Sequence, residues 1–256
     1  MLHNLFGDEM AGTETFETEA VPLRALCVGD ARPFGPQGQP SAIDKRPAPG
    51  PVRLGREGLS GDVQGDRRHH GGPDKALHHY AFEHYAVWRA EIGARDALGE
   101  PAGFGENLST LGLVEETIAV GDVFRLGSAT IEVSQGRQPC FKLNIRFGVP
   151  DMALRVQKSG RSGRYYRVIE EGLVKPDDSL SLLDRRSPGW TLARLHRALY
   201  VATLDRDELA GMAALAHLSE NWRRLAERRL SSRAVEDWAP RLEGAPGGVA
   251  PAKVGS

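Results

Sequence analysis

The chain has 256 residues, 40% hydrophobic and 26% charged, with a formal net charge of −1; this is the composition of an ordinary globular protein, long enough for a full core and a second small unit. The charge is uneven but nowhere strongly basic: residues 1–20 carry −5, residues 21–189 carry +2 (23 basic, 21 acidic) and residues 190–256 carry +2 (10 basic, 8 acidic), which argues against nucleic-acid binding by bulk electrostatics. Two cysteines, Cys27 and Cys140, make no disulfide framework, and neither a secretory signal nor an apolar run of the ~20 residues a membrane span needs is visible, so a reducing cytoplasm is the expected compartment.

In chain order, residues 1–20 come first, with Asp8, Glu9, Glu14, Glu17 and Glu19 and no Lys or Arg; they are expected to be a disordered extension. Residues 23–28 (LRALCV) form a short apolar strand candidate. A helix is predicted next: Asp74 stands as an N-cap after Pro73, Leu77, Ala81, Tyr85, Trp88 and Ile92 recur at helical spacing, and Gly93 supplies a stop. Residues 122–133 (DVFRLGSATIEV) hold two strand pieces broken at Gly127-Ser128, with Ile131 and Val133 alternating with Thr130 and Glu132. A shorter helix is predicted over 151–158, and strands over 164–170 (RYYRVIE) and 179–183 (SLSLL). Glycine, 30 of 256 residues, punctuates most junctions, and short strands so closely spaced suggest a closed or folded-over antiparallel barrel across 21–187.

Ser187-Pro188-Gly189 marks a hinge, after which the period changes. Residues 191–200, 205–217 and 219–230 read as three helices capped by Thr191, Asp205 and Ser219, within a unit spanning 190–243. Ser219 has Trp222 where a capping box needs a glutamate. Such a small helical set must bury its apolar faces, so it is expected to cover a barrel opening or to form a homodimer contact. Residues 244–256 (GAPGGVAPAKVGS) are expected to be a disordered tail.

Five features carry potential chemistry. Cys140, in SQGRQPC (134–140), has Arg137 and Lys142 close in sequence, and cations favour the thiolate that ligates soft metals; Cys27, inside an apolar strand, reads as a small buried hydrophobe. Gly71-Gly72-Pro73 ahead of a helix start would seat an anion, with Lys75 adding a charge and His70 in reach, although the spacing is not that of a nucleotide-binding P-loop. His69, His70, His78, His79 and His84 crowd one region, but on a helix His78, His79 and His84 do not converge as a zinc site requires; a zinc hydrolase using His70, His78 and Cys140 is a minor alternative. FGENLST (104–110) offers Asn107 as donor and acceptor, with Glu106 either an acid–base group or a solvated turn carboxylate. Arg223, Arg224, Arg228 and Arg229 read as a solvated helix face in preference to a DNA-recognition helix.

Together GLSGD (58–62), HGGPDKAL (70–77), FGENLSTLGL (104–113), VGDVFRLG (120–127) and SQGRQPC (134–140), in this order, resemble the MOSC domain family, and within it the YiiM type associated with resistance to 6-N-hydroxylaminopurine. The likeness runs from about residue 21 to 185, and the helices after 190 resemble the three-helix unit of that type. The resemblance implies a mainly β fold, a MOSC-type β-barrel with an inserted helix and a small C-terminal three-helix unit. It implies binding of the molybdenum cofactor (molybdopterin), with Cys140 as the protein thiolate on molybdenum and His70, Gly71, Gly72, Lys75, Asn107 and Arg137 as cofactor-binding residues; no pyridoxal phosphate is expected. The activity it implies is reduction of N-hydroxylated small molecules, hydroxylaminopurines and hydroxylamines. No dinucleotide fingerprint or Fe–S cysteine set is present in the sequence, so electrons are expected from a separate reductase, with neither nucleic acid nor membrane as partner. The alternative is a non-catalytic carrier of the cofactor or of sulfur on Cys140.

Overall fold

The computed structural model describes residues 19–63 and 71–244; the histidines His69 and His70 and most of both terminal extensions lie outside the described residues. The apolar and alternating runs form strands β1 (Val21–Pro22), β2 (Ala25–Val28), β3 (Arg32–Phe34), β4 (Gln39–Ser41), β5 (Arg46–Pro47), β6 (Val52–Gly55), β7 (Gly58–Leu59), β8 (Leu77–Ala81), β9 (Leu108–Thr110), β10 (Asp122–Leu126), β11 (Ala129–Gly136), β12 (Arg164–Glu170), β13 (Gly172–Val174) and β14 (Ser179–Arg185). Nine of them make one sheet in the order β1-β14-β10-β11-β12-β8-β9-β2-β5. Every neighbouring pair is antiparallel except β8 with β9. Among the described residues the pairings run from β1 to β5 as one open series, with no backbone pair joining the two ends.

Residues 77–92 depart from the single predicted helix. Leu77–Ala81 is strand β8, buried at all five positions between β12 and β9, and the helix, α1 (Glu83–Ile92), starts only after Phe82 and ends at Gly93 as expected. Leu77 and Ala81 satisfy a helical period, but a short run can match both periods, and burial on both faces decides it. Asp74 is therefore not an N-cap. It lies in one 3-10 turn, Pro73–Lys75, and its carboxylate accepts from Arg167 Nε at 2.7 Å. No α-helix starts at Gly71-Gly72-Pro73: a 3-10 turn and then a strand follow, so no α-helix dipole points at this segment.

Two short helices follow β11: α2 (Lys142–Phe147) and α3 (Met152–Ser159). The first was not legible in the sequence, and the second matches the 151–158 prediction. The C-terminal helices are α4 (Leu192–Tyr200), α5 (Arg206–Ala214) and α6 (Glu220–Ser232), with a last turn α7 (Ala239–Leu242). Thr191 accepts from Arg194 N, and Asp205 from the amides of Asp207 and Glu208, as cap residues do. Ser219 caps nothing with its side chain; its backbone N–H donates instead to Ser134 O of β11 at 2.9 Å.

Leu195, Leu199, Met212, Trp222 and Ala226 of these helices share one continuous core with Ile118, Val120, Ile131, Val133 and Val168 of the sheet region. The three helices thus bury their apolar faces on the sheet. A second core, around Tyr80, Tyr85, Trp88, Phe104, Leu143 and Phe147, packs α1, α2 and α3 together.

Candidate active site

β11 ends at Gly136, and residues 137–140 run without regular structure into α2. Pro139 has no N–H to continue a ladder, so the chain leaves the sheet and delivers Cys140 to the wall of a cleft. Cys140 is 8% exposed, more enclosed than the surface turn its polar surroundings suggest. The cleft has about 630 Å³ of empty space, counting its open mouth, and Cys140, Lys75, Asn107 and Arg137 all line it. Gly71 and Gly72 do not line it. They lead into the turn that carries Lys75, whose N–H donates to Gly72 O at 2.9 Å, and Gly72 has φ +99°, a region that favours glycine.

The same cleft is lined by Lys45, Asp62, His78, Phe104, Lys142 and Tyr165. Asp62 closes GLSGD, a motif that pointed to the right segment without naming its carboxylate. Tyr165 and Tyr166 alternate along β12, so one faces the cleft and the other the opposite side of the sheet.

Asn107 is held on every side. Its Nδ2 donates to Cys27 O at 3.1 Å and to Asp62 Oδ2 at 2.9 Å, while its Oδ1 accepts from His78 N at 3.0 Å. Both amide hydrogens are thereby used inside the protein. Asp62 also accepts from Gly29 N at 2.9 Å and pairs with Lys45. Asn107 thus fixes the wall that carries the Asp62–Lys45 pair.

Two buried polar atoms at this cleft have no partner among the described residues: Arg137 Nη1 and His78 Nε2. A guanidinium N–H left unpaired in a buried position is costly unless a ligand completes it. Burial, reinforced by the Arg137 charge, pushes the His78 imidazole well below its ordinary range and keeps it neutral. Burial pushes the Tyr165 phenol up, so it stays protonated. By contrast Cys27 is buried in β2, and burial together with the Glu106 charge pushes its thiol up to about 12, as befits an inert core thiol.

The remaining candidates serve the scaffold. His79, on the other face of β8, meets Tyr166 Oη at 3.0 Å and Thr110 Oγ1 at 2.9 Å, and Arg164 Nη2 lies 2.8 Å from its Nδ1. His84 pairs with Glu115 at 2.7 Å. Among the described residues no three His, Cys, Asp or Glu side chains converge on a metal position. Glu106 is fully buried, not solvated: it accepts from Tyr85 Oη at 2.5 Å, Ala102 N at 2.8 Å and Phe104 N at 3.1 Å. Arg229 is likewise buried, forked onto Glu236 at 2.9 and 2.7 Å, while Arg224 pairs with Glu220 on the surface. No helix among the described residues is long and apolar enough to cross a membrane.

Residues 66–181 match the MOSC domain model, and residues 190–233 match the YiiM-like, 3-alpha helix domain model. The chain is 41% identical over 209 residues to protein YiiM of Escherichia coli (strain K12), covering 82% of this chain and 93% of that one. It is 35% identical over 193 residues to a protein of Gibberella moniliformis named "Reductase", where the match spans 75% of this chain and 34% of the fungal one. The crystal structure of YiiM from Escherichia coli is similar at a TM-score of 0.74 and 34% identity, over 89% of this chain and 100% of that chain. With a MOSC domain, a following three-helix domain and a relative of this identity matched over nearly its whole length, the chain belongs to the MOSC domain family, in its YiiM-like form.

Proposed function

We propose that the protein binds the molybdenum cofactor through Cys140 and reduces N-hydroxylated small molecules with electrons from a separate reductase. The observation that carries this reading is the combination of one enclosed thiol with an Arg137 guanidinium whose Nη1 has no partner among the described residues, in a cleft also lined by Lys45, Lys75 and Lys142. A thiolate is a ligand for a soft metal, and buried or flanking cations suit an anionic cofactor carrying phosphate. The family membership and the fungal relative's name, "Reductase", support the same direction.

When bound, the cofactor supplies the two-electron chemistry by which an N–OH group and two protons become N–H and water. The chain's own residues bind and orient. Cys140 offers the protein ligand, and Arg137 and Lys75 offset cofactor charge. Asn107 acts through Asp62, which it holds in place and which in turn pairs with Lys45, and Phe104, Tyr165 and neutral His78 complete the wall. His70, Gly71 and Gly72 belong to the segment leading to Lys75.

The test is elemental analysis of protein purified gently from cells competent to make the cofactor. Near-stoichiometric molybdenum that is absent in Cys140→Ser, with turnover of a hydroxylamine by a chemical electron donor, supports the proposal. Molybdenum without turnover favours the carrier role. Zinc in place of molybdenum, or full molybdenum in Cys140→Ser, overturns the assignment of Cys140.

A further inference from the structure

The loop that presents Cys140 is tied down by the far end of the chain. Arg241, in α7, reaches Pro139 O with Nη1 and Gln157 Oε1 with Nη2. The backbone N–H of Phe141 donates to Arg241 O at 2.8 Å, and Asn144 Nδ2 donates to Leu242 O at 2.8 Å. Gln138 Nε2 donates to Tyr200 Oη at 3.0 Å, and the Tyr200 ring stacks edge-on against Trp238, just before α7. Residues on both sides of the cysteine are therefore tethered to residues 200–242, between 62 and 102 positions away in sequence.

This matters because the loop has little else. Residues 137–140 belong to no strand or helix. Within the loop, Arg137 N donates to Gly163 O and Cys140 O accepts from Leu143 N, and Pro139 has no N–H to offer. The match to the three-helix domain ends at residue 233, so α7 lies beyond the part of the chain that the domain model explains.

We infer that residues 238–242 form a clasp that positions the Cys140 thiol, with Arg241 as its principal positioning residue. The clasp holds Pro139 and Phe141 from outside the cleft, so that Cys140 is presented at a set position on the wall and is shielded from reagents that need the loop to open. A loop released on that side opens more often, and local opening governs how often an enclosed group is exposed. The role of Cys140 as metal ligand enters only as the reason such positioning is useful; the clasp itself stands on the contacts above.

The experiment is the alkylation rate of Cys140 by iodoacetamide in the full-length protein without added cofactor, followed by peptide mass spectrometry. Cys27 in the same sample is the internal control, since its thiol is buried and held protonated. Arg241→Ala is expected to speed alkylation of Cys140 roughly tenfold, the effect of about one net hydrogen bond, with Cys27 unreactive. Arg241→Lys, which keeps a donor for Pro139 O, is expected to restore most of the protection. Gln157→Ala, which removes the second arm of the fork and spares the loop contact, is expected to give an intermediate rate and serves if Arg241→Ala fails to fold. An unchanged Cys140 rate in Arg241→Ala and Gln157→Ala overturns the clasp. So does a parallel rise at Cys27, which would mark general loosening instead of local release. Because no molybdenum is involved, these outcomes are distinct from failure of the cofactor assignment.

Discussion

At the scale of single residues, neighbouring positions in the sequence do unlike work. His78 and His79 sit on opposite faces of β8: one borders the cleft, and the other is locked between Tyr166, Thr110 and Arg164. Burial keeps both imidazoles neutral. In the unfolded chain they titrate near 6.5. The unfolded state therefore binds more protons below that pH, and the stability they confer is whole above about 6.5 and is lost as pH falls below it. Melting temperature is expected to drop between pH 7.5 and 5.5, with each histidine contributing up to about 1.4 kcal/mol per pH unit. In His79→Gln the drop should be shallower, and an equal slope would place the acid sensitivity elsewhere. Cys140→Ser, a near-isosteric change, is expected to leave the melting temperature within a few degrees while abolishing molybdenum retention. Glu106 tests a buried scaffold carboxylate: Glu106→Ala strands the Tyr85 hydroxyl and the Ala102 and Phe104 amides, and should cost about 2–5 kcal/mol in urea unfolding.

At the scale of elements, the approach of β12 to β8 sets the cleft. Gly163, one residue before β12, has φ +76°, and a Cβ there would lie 2.6 Å from His79 O and 2.9 Å from His78 Nε2. Its N–H donates to Glu115 at 2.8 Å and its carbonyl accepts from Arg137 N at 3.0 Å. A side chain at this position meets both a backbone atom and an unfavourable conformation. Gly163→Ala is expected to destabilise by roughly 2 kcal/mol or more, by the strain of a left-handed backbone and a close contact. Denaturant midpoints of the variant against the parent protein decide this, and an unchanged midpoint would show that β8 and β12 can separate at little cost.

At the scale of the whole molecule, the C-terminal helices are part of the body that holds the site. Trp222 lies in the shared core and packs on Gly136, the last residue of β11 before the cysteine loop. Arg167 of β12 donates to His217 O at 2.9 Å, and its Nη1 meets Glu132 at 3.0 Å. Near the chain's end, burial opposes ionisation of Glu236, but hydrogen bonds from Arg229 and Trp238 outweigh it and hold that carboxyl at about 2. The core shared by the sheet and the C-terminal helices predicts that the two unfold in one cooperative transition, coincident by near-UV and far-UV circular dichroism. Trp222→Ala is expected to lower stability by about 3–5 kcal/mol without splitting that transition. Two separated transitions would show that the helices fold independently of the sheet.

The strand pieces within 122–133, the strand at 164–170 and the helix at 191–200 were legible as elements because each satisfies its own period over enough positions, although β11 runs on to Gly136, and Thr191 and Asp205 cap because a cap is a local arrangement of side chain and nearby amides. Cys140, Lys75, Asn107 and Arg137 were legible as candidates because their types and motifs announce chemistry, and they do line one cleft. The strand at Leu77–Ala81, the burial of Glu106 and the division of labour between His78 and His79 were not legible. A five-residue run carries too little periodic information to outweigh the two neighbouring strands that bury it, and a carboxylate reads as solvated until three donors from Tyr85, Ala102 and Phe104 are brought to it. Asp62 meets Asn107 across 45 positions and Lys45 meets Asp62 across 17, pairings that only the tertiary fold brings about. The contact of Arg241 with Pro139 spans 102 positions, and no local pattern encodes it: it exists because the C-terminal helices bury their apolar faces against the sheet and carry α7 back to the cysteine.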